Sequence, residues 1–218
     1  MSTSRCRSWC HRCRGDRWCR RNQPQRDTRC PATATSLADV WDVEVDELWR
    51  YQLMGLIEQT PALTWLLLSK RIGNARRMTR AENGHRPLPG NAALGATMVT
   101  QKEWDRDAGK LAETKKWGSP RFTFASVEPM LEPVSIRENA PDLVIVGGES
   151  GAGARDWDGF ADAARAIRDE CAEVGAAFFM KQMPKKAPIP ADLMIREFPA
   201  ALAGNIAAGL HERENDDA

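Results

Sequence analysis

The chain has 218 residues, 42% of them hydrophobic, enough for the core of one medium domain. No stretch approaches the ~20 apolar residues that cross a bilayer, and residues 1–30 lack the apolar block of a secretory signal. The sequence therefore predicts a soluble, cytoplasmic protein with no membrane partner. The formal net charge of +1 hides an asymmetry, because residues 1–30 carry nine Arg against Asp16 and Asp27, a local +7, and the rest of the chain carries −6.

The first thirty residues also hold five of the six cysteines, Cys6, Cys10, Cys13, Cys19 and Cys30, and no Val, Ile, Leu or Phe. Such a segment cannot offset its chain entropy by burial, so residues 1–33 are expected to be disordered unless a metal or a polyanion organises them. Globular composition runs over 34–210. The acidic "HERENDDA" at 211–218 reads as a solvated tail.

Along 34–210, apolar runs alternate with amphipathic segments. "TSLADVW" (35–41) is a weak strand, and residues 46–59 have helical spacing. Then come a strand over 64–70, a helix over 71–80, a strand over 94–99, a helix over 101–116, and strands over 121–127 and 142–148. A helix over 158–174, with Gly175 at its C-terminal cap, precedes the last strand at 176–182. This alternation implies right-handed crossovers and a parallel sheet. The tryptophans from Trp41 to Trp157 lie at element ends and read as packing residues.

A parallel sheet gathers its chemistry at the carboxyl ends of the strands. Those ends carry Lys70 and Arg71, then Glu128, then "GGESGAGAR" over 147–155, then Lys181. On one rim, Lys70, Arg71, Arg155 and Lys181 would hold an anionic ligand, while Glu128 and Glu149 handle an amine or a proton. The competing reading leaves each as a solvated loop residue. Gly147, Gly148, Gly151 and Gly153 permit close backbone approach to a ligand, but the loop has neither the dinucleotide nor the phosphate-loop pattern. A tight turn without a ligand stays open.

Cys6, Cys10 and Cys13 have C-x3-C-x2-C spacing, which can place three thiolates on one iron–sulfur cluster and leave the fourth iron open. The surrounding arginines would lower the thiol pKa values. A zinc site using Cys10, Cys13, Cys19 and Cys30 or His11, and no metal at all, are the other two readings.

Six segments, "SLADVWD", "LTWLLLSKR", "FASVEPMLEPV", "DLVIVGGESGAGAR", "IRDECAEVGAAFFMKQM" and "PIPADLMIREFP", together resemble the three-cysteine-motif phage protein family, described as phage gene products 37 and 68. The resemblance covers about residues 34–199. It implies a TIM-like, incomplete parallel (βα) barrel behind an N-terminal cysteine segment, and radical S-adenosylmethionine-type chemistry. The [4Fe–4S] cluster would sit on Cys6, Cys10 and Cys13, with S-adenosylmethionine on the rim near Lys70, Arg71, Gly147, Gly148, Glu149 and Arg155, and Glu128 and Lys181 in catalytic roles. The substrate would be a small molecule or a nucleic acid. The sequence departs from the family pattern in that Arg14 follows Cys13 and 22 residues separate Cys13 from Ser36. Two other functions fit the residues: a non-catalytic protein binding anions or nucleic acid through the rim and basic tail, and a truncated, inactive relative.

Overall fold

The structure is a computed structural model that describes residues 39–81, 84–85 and 87–202. The expectations for residues 1–33 and 211–218, including ligation by Cys6, Cys10 and Cys13, fall outside the described residues.

Five strands form one all-parallel sheet: β1 (Trp65–Ser69), β4 (Ala92–Thr97), β5 (Thr123–Val127), β6 (Leu143–Gly147) and β7 (Ala177–Gln182), neighbours in that order. Between β1 and β4, β2 (Arg80–Ala81) and β3 (Gly84–His85) make a separate antiparallel hairpin. Four helices pack on one face of the sheet, α1 (Glu47–Glu58), α2 (Ile72–Met78), α3 (Gln101–Trp117) and α4 (Phe160–Val174), and the described chain ends in helical residues 200–202. Their ends are set by local chemistry. The Asp46 carboxylate accepts from the Leu48 N–H at the start of α1, and the Thr100 hydroxyl accepts from the Glu103 N–H at the start of α3. Gly175 ends α4 with φ 76°, a left-handed cap that costs glycine no Cβ clash.

Strand alternation divides the side chains between two faces. Leu67, Leu94, Ala125, Val144 and Phe178 join Trp104, Ala108 and Leu111 of α3 and Ala164, Ile167 and Cys171 of α4 in the main core. The opposite parity, Leu66, Ala93, Phe124 and Leu143, forms a smaller cluster with Phe122 and Leu202. All four helices contribute to the first cluster and none to the second. On the second face Leu68, Ile145 and Phe179 stay only partly buried. At the β7 edge the chain returns antiparallel: Met180 N–H donates to Ile195 O and Glu197 N–H to Phe178 O, both at 2.9 Å. That return covers backbone groups an edge strand would expose.

Several expectations need correction. Of the weak strand at 35–41, residue 39 is irregular, residues 40–41 are turn and the remainder falls outside the described residues, so five strands, not six, share the sheet among the described residues. The helix expected over 71–80 stops at Met78 because the hairpin begins at Arg80. Among the tryptophans, Trp41 and Trp104 are buried, whereas Trp49 is 67% exposed. No helix among the described residues is long and apolar enough to cross a membrane.

Candidate rim site

At the carboxyl ends of β5, β6 and β7, alternation puts Glu128 and Lys181 on the face opposite α1 to α4. The strands that carry them are separated by β6, so their backbones lie roughly 10 Å apart, two strand spacings. Two long side chains bridge that gap, with Lys181 Nζ 2.7 Å from Glu128 Oε2. The position between them on β6 is Gly147. A Cβ there would lie 3.0 Å from Glu128 Cδ, so the glycine leaves room for the ion pair to cross. The pair is open to solvent on the lysine side, 52% exposed against 19% for the glutamate, so it contributes at most about 1 kcal/mol to folding. Its two charges are available to a ligand.

Next to it the glycine loop is fastened to the segment after β7. Gly148 N–H donates to Gln182 O, Gln182 Nε2 donates back to Gly148 O at 2.7 Å, and Lys185 N–H donates to Glu149 O at 2.8 Å. Glu149 closes the loop on itself. Its carboxylate accepts from Arg155 Nε at 2.8 Å, from Arg155 Nη2 at 3.0 Å and from the Arg155 N–H at 2.9 Å, while Gly151 and Gly153 turn with positive φ. The Arg155 hydrogen bonds, side chain first and backbone second, hold the Glu149 carboxyl down at about 2. Lys185 and Lys186 both adopt left-handed backbone, φ 54° and 59°, and Lys185 Nζ lies 3.7 Å from Asp156.

Lys70 and Arg71 are elsewhere, at the β1 edge of the sheet. Their positions depend on Asp39, whose carboxylate accepts from Ser69 Oγ at 2.7 Å, Lys70 N–H at 2.9 Å and Trp41 N–H at 3.0 Å. The Arg71 guanidinium reaches Asp42 at 3.1 Å and Asp39 at 3.6 Å. The structure thus brings together Glu128, Gly147 and Lys181, and beside them Gly148, Glu149 and Arg155, but leaves Lys70 and Arg71 on the other edge. Three of the four cations expected to hold an anion, Arg71, Arg155 and Lys181, each have an acidic partner. Asp39, Lys185 and Lys186 escaped the sequence reading. The "PKK" one residue past the last strand is a visible signal for the lysines, but nothing in "SLADVWD" reveals that Asp39 caps a strand thirty residues away.

Among the described residues no group of three His, Cys, Asp or Glu could hold a metal. Cys171 is buried on α4, where desolvation pushes its thiol up to about 12. An open groove of about 830 Å³ lies at the amino ends of the strands, lined by Arg121, Asp142, Gly175 and Glu197, opposite the rim.

Over residues 6–209 the chain matches the family described as protein of unknown function (DUF5131). It belongs to that family. The match to DUF5131 runs from within the N-terminal segment to beyond the last strand of the sheet. No curated protein and no solved structure matches it.

Proposed function

We propose that the chain is a radical S-adenosylmethionine-type enzyme whose sheet is an arc of an incomplete (βα) barrel and whose carboxyl-end rim binds a ligand carrying both an amino group and a carboxylate. The observation that carries this reading is the Glu128–Lys181 pair crossing above Gly147 on the open face, next to the Glu149–Arg155 pair. Each pair sets a carboxylate beside a cation. An incoming ammonium can replace the cation at Glu149 or Glu128, and an incoming carboxylate can take up the released Arg155 or Lys181, so charge stays balanced throughout. Strand order following the chain, with α1 to α4 all packed on one face, supports a barrel arc over a doubly wound sheet, whose crossover helices lie on both faces.

The donor set agrees with a cluster on the N-terminal segment. The described residues offer no competing ligand group, Cys171 is held as an inert thiol, and Cys6, Cys10 and Cys13 are soft ligands suited to iron and sulfide. Held by Cys6, Cys10 and Cys13, such a cluster would supply an electron to S-adenosylmethionine. The role of the chain's own side chains is to orient that ligand, with Lys181 and Glu128 on the open face as the groups able to give or take a proton.

Anaerobic reconstitution with iron and sulfide tests the reading. The expected product is brown, loses iron and colour with Cys10→Ser, and binds S-adenosylmethionine in calorimetry with roughly tenfold loss in Glu149→Gln, the scale of one charge-assisted hydrogen bond. A protein that takes up only zinc, or no metal, and binds no S-adenosylmethionine would leave the non-catalytic anion-binding reading in its place.

A further inference from the structure

α1 is more apolar than its place in the fold requires. Seven of its twelve residues are apolar or aromatic, yet only Arg50 and Ile57 are buried, with Leu53 and Met54 half-buried against the main core. A helix that is apolar around its circumference is normally covered on every side. Here the outward side is bare. Of the eight large apolar side chains exposed among the described residues, four fall within nine residues: Val43, Leu48, Trp49 and Tyr51, each more than half exposed. Leu48 and Gly55, seven residues apart, share the outward face, and a Cβ on Gly55 would meet nothing within 4 Å. Single apolar side chains are ordinary on a surface, but such a concentration marks an interface.

The border of this face is acidic. At the start of α1, Glu44, Asp46 and Glu47 line an open groove of about 520 Å³ together with Val43, Val45 and Met78. Glu44 and Glu47 are exposed and make no ion pair among the described residues. Of the two cations in the groove, Arg50 is buried and donates to Val40 O, Asp42 O and Val45 O, which leaves Arg77 facing three carboxylates. Residues 39–58 as a whole carry six carboxylates and Arg50 alone, a local −5. Arg71 on Asp42 and Arg77 in the groove reduce that to −3, and it stays negative with Lys70 and Arg76 counted as well.

We propose that the outward face of α1 and the groove at its start form a docking surface for a basic amphipathic segment of a partner protein, an apolar stripe flanked by Lys or Arg. The stripe covers Leu48, Trp49 and the open space at Gly55, and the flanking cations meet Glu44 and Glu47. Charge disfavours the other occupants. Two copies joined through this face would bring the same carboxylates together, and a phosphate-bearing surface of lipid or nucleic acid would be repelled. The inference does not depend on the rim being catalytic.

The test uses the full chain and a fluorescein-labelled amphipathic peptide of Leu and Lys, about four helical turns long, followed by anisotropy. Saturable binding is expected, weakened at least about tenfold in Trp49→Ala, the scale of an aromatic anchor, and by a smaller factor in Leu48→Ala. Glu44→Gln/Glu47→Gln should weaken it and flatten its salt dependence. Met194→Ala, which truncates an exposed apolar side chain beyond β7, should change nothing. Thermal midpoints should stay close to the wild type because the substituted side chains are exposed. Four results would each overturn the proposal. They are no binding by the wild type, affinity unchanged in Trp49→Ala, an otherwise identical Leu and Glu peptide whose binding falls by the same factor in that variant, and self-association or binding to phosphatidylcholine vesicles that Trp49→Ala abolishes. The last would assign the face to a second copy or to a lipid surface instead.

Discussion

Gly148 and Pro184 meet backbone to backbone at the rim: a Cβ on Gly148 would lie 2.2 Å from the Pro184 nitrogen and 2.5 Å from its Cα. This close approach lets the glycine loop and the segment after β7 exchange the hydrogen bonds of Gly148 with Gln182. Gly148→Ala has no flexible neighbour to displace, so it should force the two segments apart and cost about 1–3 kcal/mol, the range for overpacking a fixed site. At Gly147 the obstacle is the Glu128 side chain, which can swing away. Gly147→Ala should therefore cost less stability while breaking the Glu128–Lys181 pair. Urea unfolding of the two variants decides the matter, and equal losses would refute the distinction.

A second prediction concerns Asp39, which joins the start of the described chain to the end of β1. Asp39→Ala removes the acceptor for Ser69 Oγ and for two backbone N–H groups, and should cost about 1–3 kcal/mol for the donors left unsatisfied. Asp39→Asn keeps one acceptor oxygen and should recover part of that loss. Chemical denaturation reads both. An Ala variant as stable as the wild type would show that the bonds to β1 are dispensable.

Much of this architecture is legible in the residues. The runs around Leu67, Phe124, Val144 and Phe178 are apolar on both parities because the sheet is covered by helices on one face and by its own second cluster on the other. The β4 boundary is less legible. Ala92 and Ala93 pair with Trp65 and Leu66 but carry no strand signal of their own, so the expected strand started two residues late. The hairpin at 80–85 has no apolar alternation, and its short strands follow directly on what reads as the end of a helix. At the rim, the sequence identifies Glu128, Glu149 and Lys181 as strand-end residues. It cannot reveal that Glu149 folds back on Arg155 or that Glu128 crosses a strand to Lys181, because both depend on which side chains face each other in three dimensions.

The Glu149–Arg155 bond has a defined pH signature. A carboxyl held at about 2, below its usual 4.5, contributes stability that is complete above the usual value and disappears as pH falls through the lower one. Arg155→Ala should raise the Glu149 titration toward the ordinary carboxylate range, short of it by what the retained backbone N–H contributes, read by carboxyl-carbon NMR. Asp142 behaves in the same direction. Burial opposes its charge, but hydrogen bonds from Lys115 and Thr123 outweigh burial and hold its pKa below normal. The Arg155 variant should accordingly keep the acid sensitivity that Asp142 confers. A Glu149 carboxyl that titrates normally in the wild type would mean that the loop is open in solution.

Cys171 supplies a control for any thiol chemistry on the N-terminal segment. Its thiol, raised by burial to about 12, is almost entirely protonated at neutral pH and enclosed by the main core. Iodoacetamide applied to native protein should leave the Cys171 peptide unmodified, and denaturation should expose it. Labelling of Cys171 in the native state at the rate of a free thiol would contradict the packing of α4 on the sheet.

The last prediction tests whether the rim holds backbone strain. Lys185 and Lys186 sit consecutively in the left-handed region, where an L-residue costs roughly 1–2 kcal/mol and glycine does not. The Lys186 side chain has no ionic partner among the described residues to compensate, whereas Lys185 has its contact with Asp156 and its N–H bond to Glu149. Lys186→Gly should then stabilise the protein by about 0.5–1 kcal/mol, once the greater freedom of glycine in the unfolded chain is set against the relief of strain. Strained residues that persist beside a site tend to serve it, so the same variant should bind the rim ligand more weakly while unfolding at a higher temperature. Calorimetric unfolding and ligand titration on one preparation separate the two effects. A variant that loses stability would show that the Lys186 side chain makes a favourable interaction in solution, and one that gains stability without losing affinity would make the turn a connection between elements with no part in binding.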